Sequence, residues 1–318
     1  MDRSIVTLER MRSFVRVAEL GSLSAVAREQ GVGQSTVTRH IAELERALGV
    51  SLLNRTTRRV SLTDEGARYL AEARTILRLV DEATDQARSA GGDPIGKVRV
   101  SCTAALGIRH VSRGVFALQD RYPGIAIDLG LSDVRIDLVR EAVDVAIRLG
   151  PLEDSSMQLK PVGQSHRVLV ASQAYLARHG CPCTPDELAR HQTIRMSNVM
   201  GSDTLRARGA DETMHAIALS GRLTVDHGLA AREAVVQGRG IAACHIWLVN
   251  DLLEDGTVER VLPELVLEPV PLSILFVPAR ARIARVRLVI DALAAFLGEL
   301  PGIQTATGRG VQSRHSSG

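Results

Sequence analysis

The stretch GSLSAVAREQGVGQSTVTRHIAELERALG occupies residues 21–49, and its spacing decides how the first part of the chain folds. Gly21 breaks the pattern before it. Ser22 offers an N-cap for a short helix through Ala25, Val26 and Ala27, which Gly31 ends. After Val32 and Gly33 a further helix begins at Gln34 and runs to about Leu48. Val37, Ile41, Leu44 and Leu48 recur along it at spacings of three and four, the signature of one buried face. Two helices joined by a tight, glycine-containing turn outline a helix-turn-helix. Upstream, Leu8, Met11, Phe14, Val15 and Ala18 form another helical stripe over 7–20. Downstream, residues 50–53 and 60–62 read as short strands around a polar, basic turn, a hairpin wing. Thr63 is placed to cap a long helix with Asp64 and Glu65 in its first turn. In it Leu70, Ala73, Leu77, Val80, Thr84 and Ala87 repeat at 3-4-3-4-3, a seam that predicts packing against a partner helix.

The helix starting at Gln34 carries the chemistry. A helix laid in the DNA major groove meets base edges with its first turn. Here that turn offers Gln34, Ser35, Thr36, Thr38 and Arg39, mostly hydrogen-bonding groups. Gln pairs with adenine and Arg with guanine. Arg55, Arg58 and Arg59 of the wing would meet phosphates, adding affinity without sequence information. The alternative is a small helical module that docks another protein and carries a solvated basic loop.

Composition bounds the remainder. At 318 residues the chain is long enough for about two domains. Hydrophobic content of 45% supports a core, and aromatic content of only 3% makes that core aliphatic. So few aromatics also argue against modules that stack single-stranded bases. No run approaches the ~18–20 apolar residues of a membrane span, and the first residues lead into an amphipathic pattern. A cytoplasmic protein with no membrane partner is expected. There Cys102, Cys181, Cys183 and Cys244 stay reduced. Residues 1–63 hold ten Arg and six Asp or Glu, hence +4; the whole chain is +3, which leaves −1 for the rest.

Residues 89–94 read as a linker. Beyond it strands at 98–102, 125–131, 143–149 and 168–171 alternate with helices at 106–121, 133–141, 184–190 and 228–237. A late strand at 274–277 and a closing helix at 285–297 follow. This alternation predicts an α/β domain with largely parallel sheets. The Gly-, Ser- and Thr-rich tail at 301–318 is expected to be disordered.

Residues 8–66 resemble the winged helix-turn-helix of LysR-type transcriptional regulators. The matching blocks begin with Leu8-Glu9-Arg10-Met11-Arg12-Ser13-Phe14 and Gly21-Ser22-Leu23-Ser24-Ala25-Val26-Ala27. Thr36-Val37-Thr38-Arg39-His40-Ile41 follows, with Leu44-Glu45 and Leu48-Gly49-Val50, then Leu52-Leu53-Asn54-Arg55-Thr56 and Leu62-Thr63-Asp64-Glu65-Gly66. The likeness continues through Asp144-Val145-Ala146-Ile147-Arg148 and Gln237-Gly238-Arg239-Gly240-Ile241-Ala242 to the last helix. It departs at Gly33, where the family usually has a Ser N-cap, and at Ser35, often Pro. It departs again at His245, also often Pro.

The resemblance implies a mainly α winged helix-turn-helix (1–63), a linker and dimerisation helix (64–90), and a two-lobed α/β effector domain like periplasmic binding proteins (95–300). Lobe I would span 95–166 and 270–300, and lobe II 167–269. It implies a sequence-specific transcriptional regulator of double-stranded DNA, a homodimer or homotetramer, with RNA polymerase as a further partner. A small-molecule effector would sit in the cleft, bordered by Thr103, Ala104, Leu149, Asn198, Gly201, His227 and His245. Helix N-termini and Arg195 favour an anionic effector.

Other signals read as structural. Gly238-Arg239-Gly240-Ile241-Ala242-Ala243 fits a dinucleotide fingerprint by letter, yet it follows a helix and opens a strand, the reverse of the required order. His179, Cys181, Cys183 and His191 are metal-ligand types, but Cys-x-Cys is tighter than the usual zinc spacing. A redox pair of Cys181 and Cys183, or a reactive Cys244, is a second minor reading. No catalytic constellation emerges, so no enzyme activity, metal or cofactor is expected. For His245 the choice lies between a titratable cleft residue and a buried, hydrogen-bonded histidine.

Overall fold

A computed structural model describes residues 6–55, 60–88, 94–133, 141, 143–151, 157–197 and 203–305. They fall into two compact units that divide near residue 92.

The first unit opens with helices α1 (Leu8–Leu20), α2 (Leu23–Gln30) and α3 (Gln34–Leu48). Local chemistry sets the boundaries. The Thr7 hydroxyl accepts from the Arg10 amide and the Ser22 hydroxyl from the Ala25 amide. At Gly31 φ is +67°, a left-handed turn that a β-carbon would strain, so glycine makes the sharp step between α2 and α3. Gly33 caps α3 without a side chain. Strands β1 (Leu53–Arg55) and β2 (Val60–Leu62) pair antiparallel as the wing, with Leu53 opposite Leu62. The first strand starts later than its apolar run suggests. The Glu45 carboxylate takes the amides of Leu52 (2.8 Å) and Leu53 (3.2 Å), so that segment bonds to α3.

Helix α4 (Asp64–Arg88) follows. The Thr63 hydroxyl accepts from the Gly66 amide, and a β-carbon on Gly66 would lie 2.0 Å from the Leu52 carbonyl oxygen. That close approach accounts for the Gly in the 62–66 block. The expected seam is corrected in part. Ala73 and Leu77 are buried, and with Leu70 and Tyr69 they pack into this unit's own core around Phe14, Val26, Val37, Ile41 and Leu44. Those positions are consumed within one chain. Ile76 and Leu79, 38% and 53% exposed, face away from that core.

The second unit begins with β3 (Gly96–Cys102) and a helical run. In that run α5 (Ala104–Leu106) passes through a π-helical turn at Gly107–Val111 into α6 (Ser112–Arg121). Next come β4 (Ile125–Leu131), β5 (Val145–Leu149), β6 (Gln158–Ser165), β7 (Arg167–Ser172) and α7 (Gln173–His179). The short strands β8 (Ile194–Met196), β9 (Thr204–Arg208), β10 (Met214–Ala218) and β11 (Leu223–Val225) precede α8 (Gly228–Val236). Then follow β12 (Ala242–His245), α9 (Ile246–Glu254), β13 (Val258–Val261), β14 (Val266–Leu267), β15 (Val270–Phe276), α10 (Ala284–Gly298) and β16 (Ile303–Gln304).

Lobe I is built on a six-stranded sheet of order β16-β6-β15-β5-β3-β4. In lobe II β7 lies between β12 and β13, β8 pairs with β11, and β9 sits between β10 and β14. The six-stranded sheet is mixed and the two three-stranded sheets of lobe II are antiparallel, which corrects the expectation of largely parallel ones. Only β3 with β4 and β5, and β8 with β11, run parallel among the named strands; β15 returns from lobe II against both β5 and β6. Helix–strand alternation announces crossovers, but it is silent about a strand that re-enters from another lobe. The segment at 184–190 forms a 3₁₀ turn, Pro185–Arg190. The tail begins later than expected, because β16 pairs with β6 (Ile303 opposite Ser165). The 89–93 part of the expected linker, most of the expected helix at 133–141, and residues 306–318 lie outside the described residues.

The 144–148 block has a structural reason. Asp144 is 5% exposed; its Oδ2 accepts the Arg99 amide at 2.8 Å and its Oδ1 meets Arg280 at 3.0 Å. A buried carboxylate is tolerated only with such partners.

Candidate functional site

Helix α3 divides cleanly into two faces. Val37, Ile41 and Leu44 have no exposed surface, and burying each is worth roughly 1.5–3 kcal/mol. Gln34, Ser35 and Arg39 are exposed, with Thr36 and Thr38 half-buried beside them. The Thr38 hydroxyl donates to the Gln34 carbonyl at 2.9 Å, which leaves its lone pairs and methyl for a partner. The five expected base-reading residues therefore share the leading edge of one helix. Arg55 ends β1 opposite Val60, at the mouth of the wing. Arg58 and Arg59 lie outside the described residues.

In the second unit two helical starts converge on one carboxylate. Asp133, just past β4, accepts from the Ala104 amide at 3.1 Å, where α5 begins after Thr103. Its other oxygen lies 3.6 Å from His227 Nε2. His227 caps α8, its Nδ1 accepting from the Leu229 amide at 3.2 Å. Thr103, Ala104 and His227 are thus brought together, and Asp133 is the residue that sequence reasoning missed. The rule that ligands gather beyond the carboxyl ends of strands points to it, two residues after β4. Arg148 lies at the end of β5 and donates to Ser101 Oγ at 2.8 Å and to the Ile147 carbonyl at 2.9 Å. Burial lowers its pKa, against the pull of Cys102 and Asp133.

Leu149 ends β5 at the rim of the core. His245 pairs with Arg167 across β12 and β7, and no hydrogen bond among the described residues ties either residue to the Asp133 group. The His245 ring instead bonds Ser165 at 2.7 Å and stacks on Trp247, whose indole N–H also donates to Ser165. Burial, then the Arg167 charge, pushes its pKa down to about 3. Asn198 and Gly201 lie outside the described residues. Arg195 is held by Asp203 at 2.7 Å and by the Gly221 carbonyl, so its charge is compensated within the chain.

The π turn re-aims two side chains toward α9. Arg109 meets Asp251 at 2.9 Å, and His110 Nε2 bonds the Trp247 carbonyl at 2.8 Å. Arg232 of α8 grips the same Asp251 bidentately at 2.7 and 2.6 Å. Burial would raise the Asp251 pKa, but the bonds from Arg232 and Arg109 bring it to about 2. Cys181 and Cys183 are exposed, while His179 and His191 pack on Tyr175, with Tyr175 Oη hydrogen-bonded to His191. Burial pushes the Cys244 thiol up to about 12, a poor nucleophile.

A helix-turn-helix with a polar leading edge, carried on one chain with a two-lobed α/β binding domain, defines a DNA-binding regulator that answers to a small molecule. Residues 8–67 match the bacterial regulatory helix-turn-helix of the lysR family, and residues 91–298 match the LysR substrate binding domain. This chain belongs to the LysR family of transcriptional regulators. It is 32% identical over 291 residues to the regulator CrgA of Neisseria meningitidis serogroup C, covering 91% of this chain and 97% of that one. It is 32% identical to the regulator DmlR of Escherichia coli, covering 92% and 95%. Its fold is similar to the full-length Vibrio cholerae virulence activator AphB (TM-score 0.63, 27% identity, 92% and 99% covered). It is also similar to CrgA from Neisseria meningitidis (TM-score 0.60, 30% identity, 92% and 100% covered). Among the described residues no helix is long and apolar enough to cross a membrane.

Proposed function

We propose that α3 lies in the major groove with Gln34, Ser35, Thr36, Thr38 and Arg39 at base edges, and that Arg55, Arg58 and Arg59 of the wing hold phosphates. The observation that carries this reading is the division of α3. One face is fully buried and the other exposes hydrogen-bonding groups in its first turns. The protein works in the cytoplasm as a homodimer or homotetramer and acts on transcription through RNA polymerase, without catalysing a reaction. Ile76 and Leu79 of α4 supply the apolar surface for a second copy.

The effector occupies the cleft bordered by Thr103, Ala104, Leu149, Asn198, Gly201 and His227, while the His245 ring is taken up by Ser165 and Trp247. Asp133 bears on its chemistry. An acidic effector has to displace the Asp133 carboxylate from the Ala104 amide, because that donor is already taken. Binding shifts the DNA-bound arrangement only through unequal affinity for two arrangements of the protein.

Salt titration of duplex binding tests the DNA reading. Contacts from several Arg side chains to phosphates make the logarithm of affinity fall linearly with the logarithm of salt concentration, by about 0.9 per phosphate contact. A chain that ignores duplex DNA at low salt would instead be one whose N-terminal unit docks protein.

A further inference from the structure

The two carboxylate oxygens of Asp133 are treated differently by the fold. Oδ1 accepts the Ala104 amide at 3.1 Å. Oδ2 is shielded from solvent and has no hydrogen-bond partner among the described residues. A buried acceptor without a donor gives up its hydration for nothing, and such an atom calls for an explanation. Arg148 does not supply one, because its guanidinium is bonded to Ser101 Oγ and to the Ile147 carbonyl.

His227 approaches Oδ2 from lobe II. Helix α8 starts hard against α5: a β-carbon on Gly228 would lie 3.0 Å from the Ala105 β-carbon, so glycine at that position lets His227 come close to Asp133. The backbone fixes where the ring proton sits. The Leu229 amide can only donate, so Nδ1 accepts from it at 3.2 Å and the proton of the neutral ring is on Nε2. Nε2 lies 3.6 Å from Oδ2, too far for a hydrogen bond.

An acceptor and a donor at that spacing select one kind of group. A hydroxyl oxygen fits within about 2.8–3.0 Å of both, donating its proton to Asp133 and accepting the one from His227. An ammonium has donors only and would leave the His227 proton unmet. A carbonyl or carboxylate oxygen has lone pairs only and would oppose those of Asp133.

We propose that the effector is a small hydroxylated molecule whose hydroxyl bridges Asp133 and His227 and so joins lobe I to lobe II. The inference rests on the reading that the effector binds in this cleft. The Ala104 amide keeps its bond to Oδ1 throughout, so the hydroxyl is recognised without disturbing the start of α5.

The experiment uses the full chain and three pairs of probes that differ at one oxygen, hydroxyl against carbonyl. They are 2-propanol and acetone, lactate and pyruvate, and mandelate and phenylglyoxylate. Calorimetry follows the acids, and ¹⁵N shifts of the histidine rings follow the alcohol and the ketone. The hydroxyl member should bind more tightly by at least about tenfold. Asp133→Asn keeps an oxygen for the Ala104 amide but puts an NH₂ group where Oδ2 stood. Two donors then face the ligand, and the preference should pass to the carbonyl member. Equal affinities within the pairs, a carbonyl preference in the wild type, or no binding of any probe overturn the proposal. So does a hydroxyl preference that survives Asp133→Asn. The wild-type pairs decide the matter even if the variant does not fold. Failure of the cleft reading looks different: probes bind, but their affinity is indifferent to both Asp133→Asn and Thr103→Val.

Discussion

A single ring shows how strongly surroundings set a side chain's role. His245 stands where its family often has proline, and its two readings were a cleft sensor and a buried partner. The structure gives it Ser165 and Trp247 as neighbours and holds its pKa down to about 3 by burial. The unfolded chain restores an ordinary imidazole, so below about pH 6.5 the unfolded state binds a proton that the folded state refuses. Stability therefore stands in full above that pH and declines as pH falls toward the folded value. We expect the second unit to lose about 2 kcal/mol between about pH 6.5 and 5 from this residue. Denaturant unfolding of wild type and His245→Gln at both pH values measures it, and equal losses in both proteins would remove His245 as the cause. Nothing in a one-dimensional sequence pairs position 165 with position 245. The pairing arises because β6 hands the chain to β7 beside β12, so burial and partner were illegible while the residue itself stood out. Asp133 was hidden for the same reason. Its partner amide lies 29 residues upstream and its histidine neighbour lies on α8.

At the scale of elements, α4 separates what periodicity says from what it leaves open. The 3-4-3-4-3 repeat marks an apolar stripe but does not name the surface that covers it. Much of the stripe closes over Phe14 and Ile41 of its own chain. Leu77→Ala should therefore destabilise the first unit by about 2–5 kcal/mol while leaving self-association to other positions. Replacing Ile76 and Leu79 together with Ser should do the opposite, weakening self-association at near-wild-type stability. Thermal unfolding combined with sedimentation velocity separates the two, and loss of association only in Leu77→Ala would reverse the assignment. The caps were more legible, because Ser22, Gly31 and Thr63 act on amides and carbonyls within a few residues. The wing strand slipped for a comparable but longer-range reason, the Glu45 carboxylate capturing Leu52 and Leu53. In lobe II, β9 alternates exposed and buried residues from Thr204 to Arg208, a period-two signal present in the sequence. Its partner β10 is the next strand in the chain, but its other partner, β14, arrives from nearly sixty residues on, which adjacency does not predict.

Across the whole molecule, charge and fold agree on a division of labour. The positive surplus lies in the first 63 residues, together with the helix-turn-helix, while the remainder is close to neutral. The second unit places Thr103, Ala104 and His227 around Asp133 and ties the π turn to α8 and α9 through Asp251. Its layout is that of a binding domain. The claim on which the regulator reading turns is that the exposed edge of α3 touches bases. Footprinting and affinity measurement of Arg39→Ala on a fragment selected by the wild type address it directly. The account predicts a loss of roughly 1–3 kcal/mol in specific binding, with discrimination among sequences relaxed at the contacted position. An unchanged footprint at unchanged affinity would contradict it.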